Sequence, residues 1–155
     1  MSERVRILLI DDDETIRKSI SKALQKAGYK VDAAENGKEA LEKAETNFYN
    51  LALIDIHLPD MEGTKLLTAI RESTPKMIKI ILTGYPALEN AIESVNRGAD
   101  AYIRKPVDIN ELLKVIKHHL GKQSKENQFG EEKVSDFVLT RLKRLETEDK
   151  DKGKS

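Results

Sequence analysis

The sequence contains no cysteine, which excludes disulfide bonds, thiolate metal sites and thiol nucleophiles. This absence favours a reducing compartment, and we expect a cytoplasmic protein. Neither sign of charge is in excess, since 27 Lys and Arg residues balance 27 Asp and Glu residues. Nucleic-acid-binding proteins usually carry a basic excess, so we expect no direct binding to nucleic acid.

Long apolar runs are also missing. The run Ile7–Ile10 stops at three aspartates, so we expect no signal peptide, and no stretch is long enough to cross a bilayer. We therefore expect no membrane association. What is present is 39% hydrophobic and 35% charged residues in a chain of 155, which is typical of one soluble domain with a charged surface and room for a short appendage.

Short apolar segments alternate along the chain with segments of helical periodicity. The predicted strands are Val5–Ile10, Lys30–Ala34, Leu51–Ile54, Ile78–Leu82 and Ala101–Ile103. Each is followed by a segment in which apolar residues recur every three to four positions. Five β/α units in a row predict an α/β fold, with one parallel sheet covered by helices on both faces and right-handed crossovers.

The chain divides into four parts by composition. Residues 1–121 are the predicted domain, residues 122–130 a polar linker, residues 131–147 a C-terminal helix, and residues 148–155 a disordered tail without hydrophobic residues. The C-terminal helix has an apolar stripe that the five-unit domain does not need. This stripe could be buried against the domain's own surface, against the same helix of a second chain or against a target protein. We expect a homodimer or partner docking, with a plain linker as the alternative.

Polar residues follow four of the predicted strands. Asp11 and Asp12 follow the first, and Asp55, Thr83 and Lys105 follow or stand close behind the third, fourth and fifth. The carboxyl ends of parallel strands line one crevice, so these side chains should meet. Clustered carboxylates suit Mg²⁺, with Asp12 and Asp55 as direct ligands and Asp11 acting through water. Asp55 could attack phosphorus, while Lys105 and Thr83 bind phosphoryl oxygens.

At these residues the chain resembles the receiver domain of response regulators in two-component signalling. The resemblance covers roughly residues 5 to 120 and lies in four motifs in the expected order. They are Ile10-Asp11-Asp12-Asp13, the loop Asp55-Ile56-His57-Leu58-Pro59-Asp60-Met61-Glu62-Gly63, Leu82-Thr83-Gly84, and Ala101-Tyr102-Ile103-Arg104-Lys105-Pro106. Leu58 stands where many receivers have Met, which is a conservative departure.

The resemblance implies a flavodoxin-like sheet of order 2-1-3-4-5 and a cis Lys105–Pro106 bond. It implies that Asp55 accepts a phosphoryl group from a histidine kinase or phosphotransfer protein and that the signal passes to a downstream protein target. The backbone carbonyl of His57 would be a further Mg²⁺ ligand, and Thr83 and Tyr102 would be the switch residues. Such a protein catalyses only its own phosphorylation and dephosphorylation, so we do not expect an enzyme.

The resemblance also places His57 and Tyr85 where side chains tune hydrolysis of the phosphoryl group. Both are bulky, which favours a phosphoryl lifetime of minutes or longer.

Three alternatives compete with this interpretation. The strand that ends in Asp11-Asp12-Asp13 also fits a haloacid-dehalogenase-like phosphatase, with Asp11 as nucleophile and Asp13 as general acid. Glu14 stands where that family usually has Gly, and the chain lacks a cap domain. A dinucleotide-binding module is disfavoured because the acidic turn has no glycine and would repel a pyrophosphate. A degenerate receiver that acts only in docking is disfavoured because every site residue is present.

Overall fold

The computed structural model describes residues 5–74, 76–84 and 98–126, together with Thr140 and Leu142. Strands and helices alternate through the three ranges. They are β1 (Arg6–Ile10), α1 (Glu14–Lys26), β2 (Lys30–Ala34), α2 (Gly37–Thr46), β3 (Leu51–Asp55), α3 (Gly63–Ser73), β4 (Ile78–Thr83), β5 (Ala101–Arg104) and α4 (Ile109–Glu126). The helical segment predicted after the fourth strand lies outside the described residues.

The five strands form one parallel sheet in the order β2-β1-β3-β4-β5. The predicted fold class and strand order are therefore confirmed. The register aligns the carboxyl ends of the strands. Ile10 lies between Ala34 and Ile54, and Asp55 pairs with Leu82. Side chains that follow these positions consequently emerge at one edge of the sheet.

The central strands are almost completely buried, and their side chains alternate between two apolar clusters because successive residues of a strand point to opposite faces. One cluster joins alternate residues of β1, β3 and β4 to α2 and α3. The other joins the intervening strand residues to α1 and α4. Burial on both faces explains why the central strands read as continuous apolar runs.

Polar caps set the start of α1 and α2. The Asp13 carboxylate accepts the N–H of Ile16 at 3.1 Å and so caps α1. Asn36 accepts the N–H of Glu39 at 2.8 Å at the start of α2. After α1, Gly28 has φ of +98°, a backbone conformation that glycine adopts without steric cost. The chain can thus turn directly into β2.

The last described helix is longer than the sequence predicts. The prediction that the linker begins at residue 122 is wrong for residues 122–126, because α4 continues to Glu126. The buried Gln123 explains the continuation, since its Nε2 donates to the carbonyl oxygens of Asn50 (3.4 Å) and Lys76 (3.3 Å). These contacts hold the end of the helix against the residues that precede β3 and β4. Because they join distant parts of the chain, the local sequence around Gly121 cannot predict them.

The predicted C-terminal helix of residues 131–147 lies outside the described residues except for two positions. Thr140 and Leu142 are helical, and the Leu142 side chain is 50% exposed. The predicted disordered tail of residues 148–155 also lies outside. Apart from the correction at 122–126, the division of the chain into parts stays a prediction.

Candidate functional site

Three carboxylates converge at the carboxyl ends of β1 and β3. Asp11 and Asp12 follow β1 directly, and Asp55 is the last residue of β3. One carboxylate oxygen of each residue lies within 4.8 Å of the others. Asp11 is completely buried and Asp55 is 5% exposed, whereas Asp12 is exposed. Solvent therefore reaches the cluster from the Asp12 side.

Asp11 holds its neighbours in place through both of its carboxylate oxygens. Its Oδ1 accepts the N–H of Asp13 at 2.9 Å, and its Oδ2 accepts a hydrogen bond from Lys105 Nζ at 2.8 Å. The contacts of the Asp55 oxygens are longer, 3.2 Å from the His57 backbone nitrogen and 3.3 Å from Lys105 Nζ. These longer contacts and the exposure of Asp12 favour Asp12 and Asp55 as direct ligands, in line with the indirect role predicted for Asp11.

Lys105 brings a positive charge to the cluster. Its Nζ lies 2.8 Å from Asp11 Oδ2 and 3.3 Å from Asp55 Oδ2. Its backbone N–H donates to the carbonyl of Thr83 at 2.7 Å, and its bond to Pro106 is cis, as predicted. Burial alone would lower the pKa of Lys105, but its hydrogen bond to Asp11 and the charges of Asp11 and Asp55 outweigh burial and raise it. The ammonium group therefore stays charged.

The surroundings of Asp55 disfavour its charged form. Burial raises its pKa, and the negative charge of Asp11 raises it further. Lys105 and the N–H of His57, which donates to Asp55 Oδ1 at 3.2 Å, lower the pKa but do not cancel the rise. A buried carboxylate next to another negative charge is poorly solvated, so a nearby cation stabilises its charged form.

The other predicted site residues lie on the neighbouring strands. Thr83 ends β4, is 2% exposed, and follows the residue that pairs with Asp55. Tyr102 lies in β5 and is 44% exposed. His57 follows β3 with an exposed ring, and its Nδ1 lies 3.6 Å from Glu62. The cluster therefore unites Asp11, Asp12, Asp55 and Lys105. Thr83 lies at the adjacent strand end, whereas Tyr102 lies one strand further out.

Two side chains that brace the site are not evident from the sequence motifs. Arg17 in α1 donates from Nη1 to the backbone carbonyl of Asp11 at 2.7 Å, and its Nη2 lies 3.8 Å from Glu35. Asp60, in the loop after β3, binds the backbone at the start of α2. Arg17 stands one helical turn beyond the cap of α1, and that spacing was the only signal for it. Asp60 gives no sequence signal of its bonds.

The donor set fits Mg²⁺. Hard divalent cations prefer carboxylate and carbonyl oxygens, and Mg²⁺ keeps several waters beside one or two carboxylates. Asp12 and Asp55 would supply those carboxylates, with the His57 carbonyl beside them. Burial and, after it, the negative charge of Asp11 raise the pKa of Asp55, and a divalent cation beside the carboxylate would offset both effects.

A comparison with known families gives a direct match to this site. The model of the response regulator receiver domain matches residues 7–117, which is most of the chain and includes every predicted site residue. The chain belongs to the response regulator receiver family. It is thus a phosphoryl-accepting signalling switch of two-component systems, and the predicted family is confirmed.

Solved structures and curated proteins agree with this assignment. A receiver domain protein (CheY-like) from Methanospirillum hungatei is 50% identical, with a TM-score of 0.79 and coverage of 81% of this chain and all of that one. The chemotaxis protein CheY4 of Vibrio cholerae is 30% identical, with a TM-score of 0.72 and coverage of 75% and 98%. The response regulator ArlR of Staphylococcus saprophyticus is 36% identical over 79% of this chain and 55% of its own length.

The chain spans only part of its curated relatives, since it covers 26% of the regulatory protein AtoC of Escherichia coli at 34% identity over 77% of this chain. The activities of those whole proteins are therefore not transferred. The phosphatase alternative with Asp11 as nucleophile gains no support from any of these comparisons. Within the described part of the chain, no helix combines the length and apolar character that a bilayer crossing needs.

Proposed function

We propose that Asp55 is the residue that carries the phosphoryl group, received from a histidine kinase or phosphotransfer protein. One observation carries this proposal: the buried Asp55, whose pKa is raised, lies 3.3 Å from Lys105 Nζ. A carboxylate oxygen of Asp55 would attack phosphorus, and the bond from phosphorus to the donor atom would break. The new bond converts the carboxylate into an acyl phosphate, whose added negative charge needs cationic partners in the site.

The surrounding side chains would then receive the phosphoryl oxygens. Lys105 would exchange its contact with Asp55 for a phosphoryl oxygen while Asp11 keeps it in place. The Thr83 hydroxyl would donate to a second oxygen. Mg²⁺, held by Asp12, Asp55 and the His57 carbonyl, would neutralise charge on a third. Each negative oxygen thereby gains a partner that this site provides.

The test is phosphorylation by acetyl phosphate with Mg²⁺, followed by mass spectrometry. We expect one acid-stable, base-labile phosphoryl group on the wild-type protein and none on Asp55→Asn, because an amide is not a nucleophile. Asp13→Asn is a matched control. Asn can also cap α1, and position 13 lies outside the proposed ligand set. A phosphoryl group on Asp11 would overturn the proposal and revive the phosphatase alternative.

We further propose that Thr83 and Tyr102 transmit the signal. Movement of Thr83 towards the phosphoryl group would vacate space that the exposed Tyr102 can fill, which biases a two-state equilibrium. The readout would be the face that the family resemblance assigns to the predicted fourth helix, β5 and α4, where a downstream protein target would bind; residues 86–97 of that prediction lie outside the described residues. NMR shifts induced by a phosphoryl mimic that stay within the loop after Asp55 would contradict this transmission.

The remaining expectations belong to the same proposal. The exposed ring of His57 is consistent with hindrance of attacking water, while Tyr85, the other bulky residue invoked for a long phosphoryl lifetime, lies outside the described residues. A cytoplasmic location, the lack of direct nucleic-acid binding and homodimer formation through residues 131–147 stay predictions. So does the prediction that the chain catalyses nothing beyond its own phosphorylation and dephosphorylation.

A further inference from the structure

The loop between β3 and α3, residues 56–62, is closed at its base. The Gly63 N–H donates to the Ile56 carbonyl at 2.7 Å, and His57 and Glu62 form an antiparallel bridge. A Cβ added at Gly63 would overlap the Asp55 carbonyl oxygen, so the two ends of the loop are in close contact. The base fixes where the loop starts and ends, but leaves its tip to be positioned by other contacts.

The tip of this loop is tied to α2 by Asp60. Its Oδ1 accepts the N–H of Gly37 at 2.8 Å, and its Oδ2 accepts the N–H of Lys38 at 2.9 Å. The two partners lie 23 and 22 residues earlier in the chain. The bonds therefore do not shape a local turn. They connect the loop after Asp55 to a separate element.

The start of α2 does not need Asp60 for its cap, because Asn36 already accepts hydrogen bonds from two backbone N–H groups of the helix. Its side chain accepts the N–H of Glu39, and its carbonyl accepts that of Ala40. Asp60 takes the two donors that remain, which a helix terminus would otherwise leave to solvent. The positive end of the helix dipole favours a carboxylate there.

A second contact holds the same two segments together. The Met61 side chain packs over Gly37 so closely that a Cβ at Gly37 would lie 2.5 Å from Met61 Sδ. Gly37 thus allows the loop to lie directly on the helix backbone. The hydrogen bonds of Asp60 and the packing of Met61 act on adjacent residues of the loop and on the same turn of α2.

We propose that Asp60 is a positioning residue that anchors the tip of the β3–α3 loop to α2 and so sets the His57 carbonyl and Asp55 in the arrangement that binds Mg²⁺. This inference rests on the proposed function of Asp55. Asp60 lies outside the carboxylate cluster found among the described residues, so it acts through the loop rather than as a ligand. The hydrogen bonds to Gly37 and Lys38 also lower the pKa of Asp60 and keep it an acceptor.

The test compares Asp60→Ala with Asn36→Ala in the full chain. Both variants remove side-chain acceptors from the start of α2, but only the first releases the loop. Mg²⁺ affinity is measured without any phosphodonor, from backbone amide shifts of residues 55–63. We expect Asp60→Ala to weaken Mg²⁺ binding about 3–10-fold, which corresponds to about 0.7–1.4 kcal/mol. We expect Asn36→Ala to lower thermal stability and leave Mg²⁺ affinity unchanged.

Phosphorylation kinetics provide a second readout that a purely structural role would not produce. For Asp60→Ala the Mg²⁺ concentration at half-maximal rate should rise, while the rate at saturating Mg²⁺ stays within about twofold of wild type, because bound metal restores the loop. Asp60→Asn keeps one acceptor oxygen, so its half-maximal Mg²⁺ concentration should lie between those of wild type and Asp60→Ala. Equal Mg²⁺ affinity in wild type and Asp60→Ala, or equal losses in both alanine variants, would overturn the proposal. A wild-type protein that binds Mg²⁺ but is never phosphorylated on Asp55 would refute the proposed function instead.

Discussion

Asp55→Asn should make the protein more stable in the absence of divalent cations. The charge of Asp55 is opposed by burial and by Asp11, which raise its pKa, and is supported mainly by Lys105. At an effective dielectric constant of about 20, unit charges 4.8 Å apart repel by about 3.5 kcal/mol. The Lys105 contact at 3.3 Å supplies about 5 kcal/mol of attraction on the same scale.

Burial decides the sign of this balance. Asp12 adds a second, more screened repulsion, so the charge terms roughly cancel. The desolvation of a nearly buried carboxylate then remains as a cost of several kcal/mol. Asn retains the shape and the acceptor for the His57 N–H without that cost, and it leaves Lys105 to Asp11. We expect a net gain of about 1–3 kcal/mol, or roughly 3–9 °C in melting temperature for a chain of this size.

The pH dependence has a definite sign. The folded-state pKa of Asp55 lies above its ordinary value of 3.8. In the pH window between these two pKa values, the folded protein binds more protons than the unfolded chain does. The stability of the wild type therefore falls as pH rises through the window. The advantage of Asp55→Asn should be greater at pH 7 than at pH 4, and it should shrink as the pH falls towards 3.8.

The assay is urea unfolding followed by circular dichroism, in EDTA, at pH 7 and pH 4. Asp32→Asn is the control with the opposite expected sign. Burial raises the pKa of Asp32, but hydrogen bonds from Tyr49 (2.6 Å) and Arg6 (3.0 Å) outweigh it and lower the pKa. Mg²⁺ at ten times its dissociation constant should stabilise the wild type by about 1.4 kcal/mol and the Asp55 variant by much less. Equal or lower stability of Asp55→Asn at pH 7 would refute the reasoning.

Four further outcomes test other parts of the structure. Lys105→Met should slow phosphorylation by acetyl phosphate at least tenfold with an unchanged circular dichroism spectrum, because the charge that receives a phosphoryl oxygen is lost. Burial lowers the pKa of Lys79 to about 8. The folded protein therefore binds fewer protons than the unfolded chain above that pH, and urea unfolding should show the wild type gaining stability relative to Lys79→Met between about pH 8 and pH 10. Gly63→Ala should cost about 1–3 kcal/mol in the same assay, because its Cβ would overlap the backbone of Asp55. Deletion of residues 127–155, which spares α4, should convert a dimer to a monomer in light scattering if the C-terminal stripe mediates assembly, whereas an unchanged mass would assign it as a linker.

The sequence alone predicted the order of elements and the membership of the central cluster. Strand positions followed from apolar runs, which report burial on both faces, and the parallel sheet followed from the β/α alternation. Asp11, Asp12, Asp55 and Lys105 were found because each lies at or just beyond a strand end, where topology brings distant residues together. The strand order and the cis bond required the family resemblance, since no local pattern specifies them.

The tertiary structure decided the features that depend on contacts between distant segments. Lys105 reaches Asp11 across 94 residues, so the pairing that raises the Lys105 pKa could not be read from neighbours. Gln123 carries α4 past Gly121 because its amide finds two carbonyls 73 and 47 residues away. Asp60 looks like an ordinary loop carboxylate until α2 presents two backbone donors to it. The local sequence determines which helices and strands form and which polar residues follow them. Tertiary packing determines which polar groups meet, because hydrogen bonds need distances near 3 Å that only the folded chain fixes.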